Sequence, residues 1–327
     1  MTVALHLFRR RLFFAFLIRI GGHKPPLHLN RHAANQWARR CRRVLPIILM
    51  RYALPLILTL ALLFTLQNLA LRAVGGRTAK SESNFFSSMG RIQAGATGRA
   101  NVMMLGSSIT GRLPDKAQGY AGWANMGCDG GSAVDALRAM DEGILPTARL
   151  LVIEANTLQL ALNTKPTEIG QAMRKPWFKV GMELPALSAY ARPAAFFYSK
   201  LLERRTGGFE LQTGEDLGVT SRPERVNGLP KAGLTVRQLE LINEVRGILE
   251  RLKTKDIEAI IVWLPPARGD NSPPPPWIQE MSHRCGIPYW DLGQQAIPGT
   301  ITLTDGVHMA APSAARTMKS LGKAIGH

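Results

Sequence analysis

Residues 101–111 read NVMMLGSSITG: an apolar run, a glycine, then two adjacent serines, Ser107 and Ser108. A short apolar run bounded by turn residues has the form of a buried strand. Gly-Ser-Ser has the form of the sharp turn that ends one. Three roles fit such a turn: a plain strand-to-helix connection, a phosphate cradle, or a loop that presents a nucleophilic serine. The surrounding chain narrows the choice. Strand-like runs recur at WANMG (123–127), ARLLVIEAN (148–156), IEAIIVWLPP (257–266) and IPYWDLG (287–293). Between them lie helical patterns: SAVDALRAMDEGI (132–144), LPALSAYARPAAFFYSKLLERR (184–205), LTVRQLELINEVRGILERLKT (234–254), WIQEMSHRCG (277–286) and PSAARTMKSLGKAI (312–325). Strands that alternate with helices predict a mostly parallel sheet covered on both faces, a three-layer α/β/α domain over 101–327. Ligands in such folds sit beyond the carboxyl ends of the strands. Residues 206–235, rich in Gly, Arg and Pro, read as a surface excursion, and 157–235 as an insertion that shapes the substrate site.

The 327 residues are 46% hydrophobic, enough for a sizeable core, but the formal net charge of +18 is unusual. Charge of that size points first to nucleic acid or an anionic membrane surface. Its distribution decides between them. Residues 1–80 hold 14 of the 41 Lys+Arg and no acidic residue, while the other 27 basic residues face 23 acidic ones, a net of +4. A body so close to neutral gives nucleic-acid binding no support.

From Tyr52 to Leu71 the chain runs YALPLILTLALLFTLQNLAL without a charge. A bilayer core of roughly 30 Å takes about 20 helical residues, and the polar stripe of a core helix is missing here. Residues 52–72 therefore predict a single transmembrane helix that follows a basic segment, 1–51. Arg39, Arg40, Arg42, Arg43 and Arg51 crowd its leading flank. Dense Lys/Arg stays in the cytoplasm, which puts the N-terminus inside and the body outside. A cleaved signal peptide, the rival reading, has an apolar core of only about 7–15 residues. The stretch LFFAFLIRI (12–20) is too short to span: it reads as an interfacial piece, or lies upstream of a start at Met50. Residues 73–100, rich in Gly, Ser and Ala, read as a tether. Cys41, Cys128 and Cys285 lack C-x-x-C spacing, so no zinc or redox motif is expected, and whether Cys128 and Cys285 pair is open.

The polar residues that could carry chemistry fall at strand ends. Ser107 and Ser108 follow the first strand, Asn125, Gly127 and Gly130 the second, and Asn156 the third; Asp305 and His308 follow the last. A serine hydroxyl needs a base to take its proton, and histidine suits that task. The base needs an acceptor for its other ring N–H, which Asp305 supplies from three residues away. An oxyanion needs preorganised donors: the N–H groups of Ser108 and Gly127 and the Asn156 amide qualify. Each has a plain reading alone, Asp305 as a turn cap and Asn156 as a strand-end hydrogen bonder. It is their order on four strand ends that points to catalysis. The glycines of NMGCDGGSAVDAL do not make G-x-G-x-x-G, and neither a phosphate loop nor H-E-x-x-H occurs, so no cofactor or metal is expected.

That order resembles the SGNH (GDSL-like) hydrolases, whose four blocks correspond to GSSIT (106–110), NMGCDGG (125–131), EANT (154–157) and DGVH (305–308). The resemblance covers about 101–327 and implies an SGNH/flavodoxin-like fold. It makes Ser108 the nucleophile, His308 and Asp305 its base and partner, and Ser108, Gly127 and Asn156 the oxyanion hole. Ser107 stands where the family has Asp, and Glu154 and Thr157 stand where its third block has Gly and Asp. Glu154 reads as a paired carboxylate at a strand end or as a substrate contact. The implied function is a membrane-anchored serine esterase or O-acyltransferase acting on acetyl esters of an envelope or exopolysaccharide substrate. The alternative is a non-catalytic partner of an envelope or polysaccharide assembly complex. Ser108 and His308 within hydrogen-bond reach favours the first.

Overall fold

In the computed structural model, the described residues are 51–71, 81–163, 166–206, 216–219, 221–226, 233–265, 273–296 and 299–326. The basic segment 1–50, with residues 12–20, Cys41 and Met50, lies outside them, as do residue 72 and 73–80 of the expected tether. The chain divides into two units, Met1–Thr65 and Leu66–His327. Arg51–Leu71 is one helix, α1, with a mean hydropathy of 2.0 over its most apolar window; by length and composition it is able to cross a membrane. Leu54, Leu56, Ile57, Leu58 and Leu60 are all exposed along it.

The body is an α/β domain built on a parallel sheet. Its strands are β1 Val102–Gly106, β2 Trp123–Gly127, β3 Leu150–Glu154, β4 Glu258–Trp263 and β5 Tyr289–Asp291, in the spatial order β2-β1-β3-β4-β5. Every pairing is parallel, and Gly106 at the end of β1 stands opposite Gly127 at the end of β2. All five residues of β1 and of β2 are buried. Strands buried on both faces read as unbroken apolar runs, which is how they are recognised in the sequence. Met103, Leu105, Leu151 and Ile153 point into one hydrophobic cluster; Val102, Met104 and Val152 point into another. This is the two-residue alternation of a strand with apolar material on each side.

The helices after α1 are α2 Asn84–Ala96, α3 Ser108–Gly111, α4 Ala133–Asp141, α5 Glu168–Met173, α6 Pro176–Glu183, α7 Pro193–Thr206, α8 Val236–Lys253, α9 Pro276–Cys285, α10 Leu292–Gln295 and α11 Ala311–Ile325. Met89 and Ile92 of α2, Leu137 of α4, Val245 and Ile248 of α8 and Met281 of α9 fill the first cluster; Met318 and Leu321 of α11 fill the second. β1 runs to β2 on one side and β3 lies on its other side, so the carboxyl ends of β1 and β3 flank the point where the winding reverses.

Three expectations are corrected. Residues 84–96 are not tether but helix α2, capped by Ser83, whose Oγ accepts from Phe86 N. The span 184–205 is not one helix: turns at Pro185–Leu187 and Ala189–Ala191 precede α7, which begins at Pro193. A proline disfavours helical backbone at the residue before it, and Arg192 is extended. Within 206–235, Leu217 and Val219 are buried in the second cluster, and Glu224 exchanges backbone hydrogen bonds with Tyr289 of β5 at 3.0 and 2.8 Å. That segment is partly core and partly sheet edge rather than a surface excursion. Cys128 and Cys285 are free thiols. Burial raises the Cys285 thiol to about 12.

Because Ile92 is fully buried, Ile92→Ala is expected to lower unfolding stability by about 2–5 kcal/mol, measured by denaturant titration of the full chain; a tether position would change it by less than about 0.5 kcal/mol.

Candidate active site

The turn after β1 is held from two sides. From below, Glu154 at the end of β3 sends its carboxylate under the turn, 1% exposed. Its Oε2 accepts from Ser107 N at 2.8 Å, Thr110 N at 3.0 Å and Thr110 Oγ1 at 2.6 Å. Its Oε1 accepts from Ser107 Oγ at 2.7 Å and Thr157 Oγ1 at 3.0 Å. A buried carboxylate is costly without partners, and here all five partners donate. From the side, Asn125 of β2 donates its Nδ2 to the carbonyls of Thr110 and Leu113, both at 2.7 Å. The clamp requires glycine at 106, because a Cβ there would lie 2.1 Å from Thr110 Oγ1 and 2.3 Å from Glu154 Oε2.

The two serines separate cleanly. Ser107 is the N-cap of α3: its Oγ accepts from Ile109 N at 3.1 Å while donating to Glu154. Ser108 is the first residue of α3, and its Oγ lies 2.8 Å from His308 Nε2. His308 Nδ1 lies 2.7 Å from Asp305 Oδ2. A carboxylate only accepts, so Nδ1 carries the hydrogen, and Nε2 of the neutral ring accepts from the Ser108 hydroxyl.

Asp305 holds the histidine twice over. Its Oδ1 also accepts from the backbone N–H groups of His308 at 2.8 Å and Val307 at 3.1 Å, around a turn with Gly306 at φ +75. The turn is closed by Thr304 N donating to His308 O at 2.8 Å and by the antiparallel bridge Leu303–Met309. The hydrogen bond from the His308 ring, and after it the one from the His308 backbone, hold the Asp305 carboxyl well below the usual aspartate range. The Asp305 side chain is 50% exposed, so the constellation opens at the protein surface.

The expected oxyanion donors fare differently. Ser108 N–H, in the unpaired first turn of α3, has no partner among the described residues. Gly127 N–H is already occupied, donating to Asn125 Oδ1 at 2.8 Å, so the structure corrects its assignment as an oxyanion donor. Its glycine serves close approach instead: a Cβ at 127 would lie 2.4 Å from Gly111 N and 2.7 Å from Ser107 O. Asn156 donates from Nδ2 to Leu264 O at 3.1 Å and accepts at Oδ1 from Leu264 N at 2.9 Å, locking the end of β3 to the end of β4. One Nδ2 hydrogen is left over from that pair.

Two contributors were given no role in the sequence. Thr110 supplies two of the five bonds to Glu154. Arg91 of α2 donates to Gly127 O at 2.6 Å and pairs with Asp129 at 3.1 Å, bracing the loop after β2. Among the described residues no cluster of three metal-ligating side chains occurs. No family model matches the chain, and no characterised protein or solved structure matches it.

Two outcomes are expected. Glu154→Gln replaces acceptors with an NH2 facing N–H and O–H donors, and is expected to cost about 1–3 kcal/mol in denaturant unfolding. The folded pKa of Asp305 is depressed, so its contribution to stability is present above its ordinary pKa of 3.8 and is lost as the pH falls through the folded value. The stability gap between the native chain and Asp305→Asn, followed by urea unfolding against pH, should therefore be full near neutrality and narrow below pH 3.8.

Proposed function

We propose that this chain is a membrane-anchored serine esterase or O-acyltransferase with a three-layer SGNH-type domain, held through α1 in a bacterial inner membrane with the domain in the periplasm. The observation that carries the reading is the Ser108–His308–Asp305 relay, with contacts of 2.8 and 2.7 Å. The strand order β2-β1-β3-β4-β5 is the doubly wound order of flavodoxin-like folds and supports the same reading.

Ser108 Oγ attacks an ester carbonyl while His308 Nε2 takes its proton, and Asp305 steadies the imidazolium through Nδ1. Ser108 N–H and the remaining Asn156 amide hydrogen meet the developing oxyanion. The leaving alcohol takes the proton from His308, giving an acyl-Ser108. Water or a sugar hydroxyl, deprotonated by His308, then releases the acyl group. A relay open at the surface suits a bulky polysaccharide or envelope substrate.

The test is p-nitrophenyl acetate hydrolysis by the full chain in detergent. Ser108→Ala is expected to abolish the burst and turnover, and His308→Ala to lower kcat/KM by about 10²–10⁴. Equal rates for the native chain and Ser108→Ala would refute the proposed nucleophile.

A further inference from the structure

Helices of a water-facing domain turn their apolar stripes inward. α6 and α7 also carry large apolar residues on the outside. On α6 the buried positions are Phe178 and Gly181, whereas Trp177, Val180 and, just past its end, Leu184, spaced three and four apart, are exposed. On α7 the small residues Ala195 and Ser199 are buried, while Phe197 and Leu201, one turn apart, are exposed. Outside α1, seven of the eleven large exposed apolar side chains among the described residues fall between 177 and 201. Single exposed hydrophobics need no explanation, but a concentration of this kind marks an interaction surface.

Charge and position say what it meets. Residues 174–206 contain seven basic residues (Arg174, Lys175, Lys179, Arg192, Lys200, Arg204, Arg205) and two acidic ones, a net of +5. The rest of 81–327 has 20 basic and 21 acidic residues, so this segment accounts for the whole positive surplus of the body. The same segment receives the end of α1. Gln67 donates from Nε2 to Ala186 O at 3.0 Å and Ala191 O at 2.5 Å, and Leu71 is buried. Gln67 is four residues, about 6 Å along the helix axis, from the end of α1.

We propose that α6, the 185–191 turns and α7 form a second membrane-contacting surface, which lies in the headgroup region of an anionic bilayer with Trp177, Val180, Leu184, Phe197 and Leu201 in the acyl boundary and the exposed Lys175 and Arg204 on lipid phosphates. Basic residues flanking an exposed apolar stripe are the chemistry such an interface selects. The surface rests on reading α1 as the membrane anchor.

The test places p-benzoylphenylalanine singly at Phe197, at Leu60 in α1 and at Val236, an exposed apolar position of α8. Each full-length variant is reconstituted in phosphatidylglycerol–phosphatidylethanolamine vesicles and irradiated, and its mass is measured. The expected result is a mass gain of one phospholipid at 197 and at 60, and none at 236. Lipid adduct at 60 without any at 197 overturns the surface and leaves the anchor standing. No lipid adduct at either position overturns both. A protein–protein crosslink at 197 assigns the face to a second copy and overturns the proposal, as does equal lipid labelling at 236.

Discussion

The carboxylate of Glu154 is the constraint on which the candidate site depends. It lies under the turn that follows β1 and collects donors from Ser107, Thr110 and Thr157. Those bonds tie the end of β3 to both ends of the first turn of α3, so that the side chain between them, Ser108, is left to point at His308. Burying a charged group in this way is tolerable only because each oxygen is met by hydrogen-bond donors. Hydroxyls at 107, 110 and 157 and the backbone amides of 107 and 110 surround it. The arrangement favours the first of the two readings of Glu154, a carboxylate held by partners, with hydroxyls and amides in place of a cation.

Close backbone approach is the second condition. Gly106 lets the carboxylate pass beneath α3, and Gly127 lets α3 rest on the end of β2. Asn125 then fastens α3 to β2, and Arg91 fastens α2 to the loop beyond. Ser108 is thus carried by a single helical turn pinned from two sides, which suits a group that meets the His308 ring within 3 Å.

Much of this was legible from residues alone, for identifiable reasons. Parallel strands buried on both faces are continuous apolar runs, so VMML, WANMG and AIIV stand out, and the residues just past them are where chemistry gathers. Helix α2 was hidden by its composition. The Gly, Ser and Ala that read as a flexible tether are what allow it to pack closely: Gly90 lies against the Tyr190 ring and Gly95 against the carbonyl of Asn125. The occupation of Gly127 N–H by Asn125 was equally invisible, because no pattern in one chain tells which of several loop amides is already bonded. Thr110 gave no sign either, since a threonine after a turn is ordinary and its partner lies 44 positions away. The outward stripes of α6 and α7 show the same limit: periodicity reveals that a stripe exists, and packing alone reveals which way it faces.

The central claim is that Ser108, and not its neighbour, is a serine activated by His308. Incubating the full chain with a fluorophosphonate and mapping the modified peptide by mass spectrometry addresses it most directly, since only an activated hydroxyl reacts readily. The account requires one adduct, on Ser108, lost in His308→Ala and retained in Ser107→Ala. An adduct on Ser107, or labelling of Ser108 that is indifferent to His308, would contradict it.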